Sequence, residues 1–139
     1  MKIVKSILAI ITGIIVGSIT NASIIFICNA IFGIPEGMVL WDEKSVIAHA
    51  DKLTTANYIG TFLAHQLGTL VGALVAAKIA PFRKMIFSLF IGAWFLAGGI
   101  YAVSLIPAPM WFILADIILY IPIAFIGGKL GGTQRKTDK

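Results

Sequence analysis

Charge is the scarcest thing in this sequence. Only 12% of its 139 residues are Asp, Glu, Lys or Arg, about half the share usual in a water-soluble domain, whereas 59% are hydrophobic and the mean hydropathy is +0.99. A soluble fold of this length leaves much of its area exposed and has no room to hide so much apolar surface, so lipid is the expected solvent. Cysteine is nearly missing as well. Cys28 stands alone, which excludes a disulfide scaffold. The two histidines, His49 and His65, lack the spacing that zinc or haem requires, and neither a metal nor another cofactor is expected. Disorder is excluded too, because the net charge of +5 accompanies very high hydrophobicity.

What the chain does have is long runs without charge. A helix needs about 20 apolar residues to cross roughly 30 Å of hydrocarbon at 1.5 Å per residue. Four windows qualify, at about 6–32, 55–80, 85–106 and 110–128. Gly33-Ile34-Pro35 closes the first, Pro81 the second, and Pro107-Ala108-Pro109 the third, since proline lacks the helical donor and disfavours helix in the residue before it. Lys78, near the end of the second window, has a stem long enough to reach the headgroups. The basic start Met1-Lys2-Ile3-Val4-Lys5 suggests a signal peptide, but the apolar run that follows exceeds the roughly 7–15 residues of such a segment, so an uncleaved first span is expected. These features predict an all-α integral membrane four-helix bundle over 1–130, with a disordered polar cytoplasmic tail over 131–139.

Orientation follows from lysine and arginine, which stay on the cytoplasmic side. With the N-terminus inside, nine of the eleven basic residues are cytoplasmic, and only Lys44 and Lys52 lie outside. Both termini are then cytoplasmic in a multi-pass protein of the cell membrane. The basic residues account for orientation and contact with anionic lipid, and no nucleic-acid partner is expected. The short connections around Pro81 and Pro107 make each pair they join antiparallel neighbours. The long connection between the first two spans is expected to hold a short helix capped by Asp42 or Ser45, with Val46, Ile47, Ala50 and Leu53 on one face, over the membrane surface or the bundle mouth.

Membrane helices associate where small residues let backbones approach. Ala9, Gly13, Gly17 and Asn21 recur every four residues on the first span, and Gly68 and Gly72 lie on a small, polar face of the second with Tyr58, Thr61, His65, Thr69 and Ala76. On the third, Ser88, Gly92, Gly99 and Val103 share a face opposite Phe87, Phe90, Trp94 and Tyr101, which are expected toward lipid. The patterns Leu8-Ala9-x3-Gly13-x2-Val16-Gly17 and Leu63-Ala64-x3-Gly68-x2-Val71-Gly72 match residue for residue, and are read as shared packing chemistry because the two spans run in opposite directions. Gly127-Gly128 and Gly131-Gly132 read as a helix ending, and Pro122 predicts a kink in the fourth span.

One acid, Asp116, lies inside an apolar span. A charge in hydrocarbon costs about 2.5–3.5 kcal/mol even on lenient insertion scales, so Asp116 should point into the bundle. Counted from the outer ends at about 1.5 Å per residue, Asp116, His65 and Asn21 fall near one level. Two readings follow. Asn21, Thr61, His65 and Asp116 form an outward-facing polar pocket with Tyr101 or Tyr120 at its edge, or the same groups satisfy one another and hold the helices in register. Glu36, after Pro35, is either a turn residue or part of the pocket mouth.

The run Phe62-Leu63-Ala64-His65-Gln66-Leu67-Gly68-Thr69-Leu70-Val71-Gly72, with Pro107-Ala108-Pro109-Met110-Trp111-Phe112 and Asp116, resembles small uncharacterised four-span bacterial inner-membrane proteins. That resemblance covers most of the chain and implies the topology but no activity. In length and span count the chain is also similar to small multidrug-resistance transporters, which carry a glutamate in their first span. Here that span has no acid, so their mechanism is not carried over. Two functions are expected: a small-solute or proton-linked binding or transport protein, working as a homodimer because four helices are too few for two rocking halves, or an accessory subunit whose glycine rows and aromatic face bind another membrane protein. No nucleophile with a base, and hence no catalytic residue, is visible.

Overall fold

Each long apolar run becomes one uninterrupted helix, and prolines or glycines set the ends. The computed structural model describes residues 1–132, and among them holds five α-helices, one 3₁₀ turn and no strand. They are α1 (Lys2–Phe32), α2 (Glu43–Ala48), the 3₁₀ turn (Ala50–Lys52), α3 (Thr55–Ile79), α4 (Lys84–Leu105) and α5 (Met110–Gly132). Helices α1, α3, α4 and α5 are long and apolar enough to cross a membrane.

The helix ends have identifiable causes. Helix α1 stops at Gly33, whose φ of 81° glycine tolerates and whose N–H bonds the Asn29 carbonyl. Helix α3 starts at a reciprocal cap, with the Asn57 N–H on Thr54 Oγ1 at 3.4 Å and the Thr54 N–H on Asn57 Oδ1 at 2.9 Å. Asp42 caps α2 through the Lys44 N–H, whereas Ser45 accepts from the Val39 N–H instead. Helix α5 passes through Pro122 and continues to Gly132, four residues beyond the expected end at 128. Gly127 and Gly128 are packing positions rather than a terminus, since a Cβ at Gly127 would lie 2.7 Å from the Leu70 carbonyl oxygen and one at Gly128 2.7 Å from Ser88 Oγ, whereas Gly131 and Gly132 stand at the helix end as expected. Gly131 and Gly132 are thus helical, and the rest of the tail, 133–139, lies outside the described residues.

Helix α3 is the hub, packing against α1, α4 and α5, while α4 also packs against α5. Its contact with α1 is a meeting of backbones. A Cβ on Gly72 would fall 2.7 Å from the Gly13 carbonyl oxygen, and one on Gly13 2.9 Å from the Gly72 carbonyl oxygen; Gly17 and Gly68 repeat the exchange at 2.8 Å each way. The matched patterns at 8–17 and 63–72 are therefore the two halves of a single antiparallel contact with local two-fold symmetry. This corrects the expectation that Gly68 and Gly72 are open to another protein, because α1 covers them.

Between α4 and α5, Gly92 admits Ala124, Gly99 admits the Tyr120 ring, and the Ser88 hydroxyl donates to the Ala124 carbonyl. The core at this level is Ala9, Ala73, Ala76, Ile91 and Ala124, all buried. Phe90, Trp94 and Tyr101 are exposed as expected of an outward aromatic face, but Phe87 is buried against Phe82 in an edge-on ring contact. The chain turning from α3 into α4 covers that end of the stripe.

Candidate functional site

The site lies where residues 33–54 cross over the ends of α1, α3, α4 and α5. Asn57, one turn into α3, donates its amide to Asn29 Oδ1 at 3.0 Å and to the Gly33 carbonyl at 2.8 Å, clasping the end of α1. Tyr58 donates to the Pro107 carbonyl at 3.1 Å and ties the turn before α5 to the same corner. Between these fastenings the α2 segment lies across the top, with Met38 buried and Trp41 against Phe26 of α1. Asn57→Ala should therefore loosen α1 from α3 and remove the cap, lowering stability by about 1–2 kcal/mol, measurable as a drop in unfolding temperature in detergent.

Beneath the segment is a cavity of about 380 Å³. Its walls are mostly apolar, including Ile25 of α1, Leu40, Val46 and Leu53 of the crossing segment, Ile106 of α4 and Phe112 of α5. Helix α3 supplies the polar wall through Asn57, Thr61 and His65. The Thr61 hydroxyl donates to the Asn57 carbonyl at 3.0 Å. Glu43 lines the cavity, while Glu36, weighed as a mouth residue, is exposed and does not.

His65 is the deepest α3 residue of this wall, and Asp116 sits behind it. His65 Nδ1 is 2.9 Å from Asp116 Oδ2; the carboxylate is 0% exposed and the imidazole 17%. Tyr120, one turn further along α5, donates its hydroxyl to the same oxygen at 3.1 Å. Gln66 donates to Oδ1 at 3.0 Å. Three donors thus converge on one carboxylate, the arrangement that makes a buried acid tolerable.

Of the expected residues, the structure brings together His65, Asp116 and Tyr120, with Thr61 one turn above His65 on the cavity wall. Asn21 does not join them. It lies against Gly68, and its Oδ1 is buried with no partner among the described residues. Tyr101 is 60% exposed on the aromatic face of α4 and does not line the cavity. Gln66 was not anticipated, although a glutamine in the middle of an apolar span is itself a signal. Its Oε1 is buried without a partner among the described residues. No group of three His, Cys, Asp or Glu among those residues is placed to hold a metal ion.

No protein family, no curated protein and no solved structure matches the chain.

Proposed function

We propose that the chain is a multi-pass cell-membrane protein that binds a small solute in this cavity and moves it, or a proton, from the outer side. The observation that carries this reading is a roomy cavity whose floor is an imidazole held by a buried carboxylate. Intramembrane ionisable residues mark binding sites and proton relays more often than mere packing. A proton arriving at His65 Nε2 is matched by one available to Asp116 from Nδ1, so the pair is suited to exchange protons with the cavity.

The orientation rests on charge. Lys2, Lys5, Lys78, Arg83, Lys84 and Lys129 lie at the end of the bundle away from the cavity, whereas Glu36, Asp42, Glu43 and Asp51 lie at the cavity end with Lys44 and Lys52. Positive residues stay inside, so both termini are cytoplasmic and the cavity faces out. Transport by so few helices would take two copies. The accessory-subunit reading retains one supporting observation: Trp94, well inside α4, is 53% exposed on the aromatic face.

Thiol labelling tests the pocket directly. In a Cys28→Ala background, Thr61→Cys should react with a membrane-impermeant thiol reagent added outside intact cells, and fail to react when the same reagent meets only the cytoplasmic face of inverted vesicles. Labelling from the cytoplasmic face, or from neither, would overturn the outward pocket.

A further inference from the structure

The cavity's polar atoms are largely spoken for. Asn57 spends both amide hydrogens on α1, Thr61 donates to its own helix, and Tyr58 donates to the Pro107 carbonyl. His65 differs: with Nδ1 on Asp116, its Nε2 makes no hydrogen bond among the described residues. The carboxylate already accepts from Gln66 and Tyr120, so it takes a proton donor from His65 too, which fixes the hydrogen on Nδ1. In a neutral imidazole the other nitrogen is then an acceptor. The wall that leads to it is aromatic. Tyr58 and Phe112 lie 5.3 Å apart between ring centroids, and Phe112 and His65 6.4 Å. From Asn57 to His65 is eight residues, about 12 Å of helix rise, the length of two linked rings.

Glu43 also lines the cavity, but it is exposed on α2; at the depth of His65 the acceptor left open is Nε2, and that end of the cavity asks for a ligand with one hydrogen to donate and nothing else polar. An ammonium group would leave two or three hydrogens unpaired there, and a carboxylate would meet a lone pair. We propose that the cavity is a binding site for an uncharged aromatic hydroxyl compound, a phenol-type amphiphile whose hydroxyl donates to His65 Nε2 while its apolar body lies along Phe112 and Tyr58. The proposal rests on the outward-pocket reading and adds the chemical class of its occupant. The ligand reaches the site either dissolved in water or held in the lipid.

Calorimetric titration of the purified protein in lipid nanodiscs, with empty discs subtracted, tests this using 4-hydroxybiphenyl against 4-methoxybiphenyl. The phenol should bind saturably and about tenfold more tightly than the ether, the factor expected for one hydrogen bond. His65→Phe should abolish that preference by weakening the phenol and leaving the ether alone. A 4-dodecylphenol arm separates the two routes: preference for the long chain places the ligand in the lipid, and equal binding places it in water. Equal affinity for phenol and ether in the unaltered protein, or saturable binding of neither, overturns the proposal. If the Thr61→Cys labelling holds while the phenol preference fails, only the ligand class falls; if labelling fails, the pocket itself goes.

Discussion

Gly72→Leu should detach α1 from the rest of the bundle. The substituted side chain would begin 2.7 Å from the Gly13 carbonyl oxygen and 3.2 Å from Gly17 Cα, and neither backbone atom has a rotamer to turn away. Overpacking a side-chain core typically costs about 1–3 kcal/mol because neighbours adjust; here the adjustment is separation of two helices, and the expected loss is at the top of that range or above it. Helical content should persist, since each span satisfies its own backbone in lipid. Circular dichroism would thus stay near the parent while unfolding temperature in detergent and resistance to proteolysis between α1 and α3 collapse. Gly98→Leu is the matched control, because a Cβ there meets nothing within 4 Å. Equal behaviour of the two variants would refute the backbone contact.

Asp116 offers the second large effect, and its two simplest replacements should part company. Asp116→Ala strands the donors of His65, Gln66 and Tyr120; three intramembrane hydrogen bonds at about 0.6 kcal/mol each give roughly 2 kcal/mol before any penalty for the stranded groups. Asp116→Asn keeps one oxygen for His65 and Tyr120 and turns an amide toward Gln66, which can rotate to accept through the Oε1 that now lacks a partner. Stability within about 1 kcal/mol of the parent is expected for Asn, measured by thermal unfolding in detergent. Function should not follow stability. Both variants lose the carboxylate that pairs with the imidazole, so proton-linked uptake into vesicles should vanish in both, and unchanged uptake by Asp116→Asn would remove proton coupling from the proposed function.

The fold was readable because in lipid a run of apolar residues has few options, and prolines at 81, 107 and 109 mark where such runs stop. The glycine row on α1 was legible from its four-residue spacing alone. Other features depend on which neighbour lies where around each helix. Phe87, Trp94 and Tyr101 are seven residues apart and share a stripe on any ideal helix, yet the turn after α3 buries the first and leaves the others exposed. Gln66 sits about 100° round from His65, and only the approach of α5 on that side turns it toward Asp116. The role of Asn57 is hidden in the sequence for a similar reason, because its partners, Asn29 and the Gly33 carbonyl, are separated from it by the whole connection.

That clasp also bears on how fast the site can exchange its contents. With α1 and α3 locked through glycine backbones below and through Asn57 above, the cavity has no hinge between whole helices on that side. The part that can move is the α2 segment, which is anchored at Gly33 and Thr54 and held between them by the Tyr58 hydroxyl donating to the Ala50 carbonyl. Loop displacements run on nanosecond to microsecond timescales, whereas rearrangements of packed helices take microseconds to milliseconds. If the cavity binds a ligand as proposed, its residence time is governed by the ligand's grip on the walls rather than by a slow gate. A disulfide pinning α2 to the end of α4 would convert the site from a quickly equilibrating one into a trap.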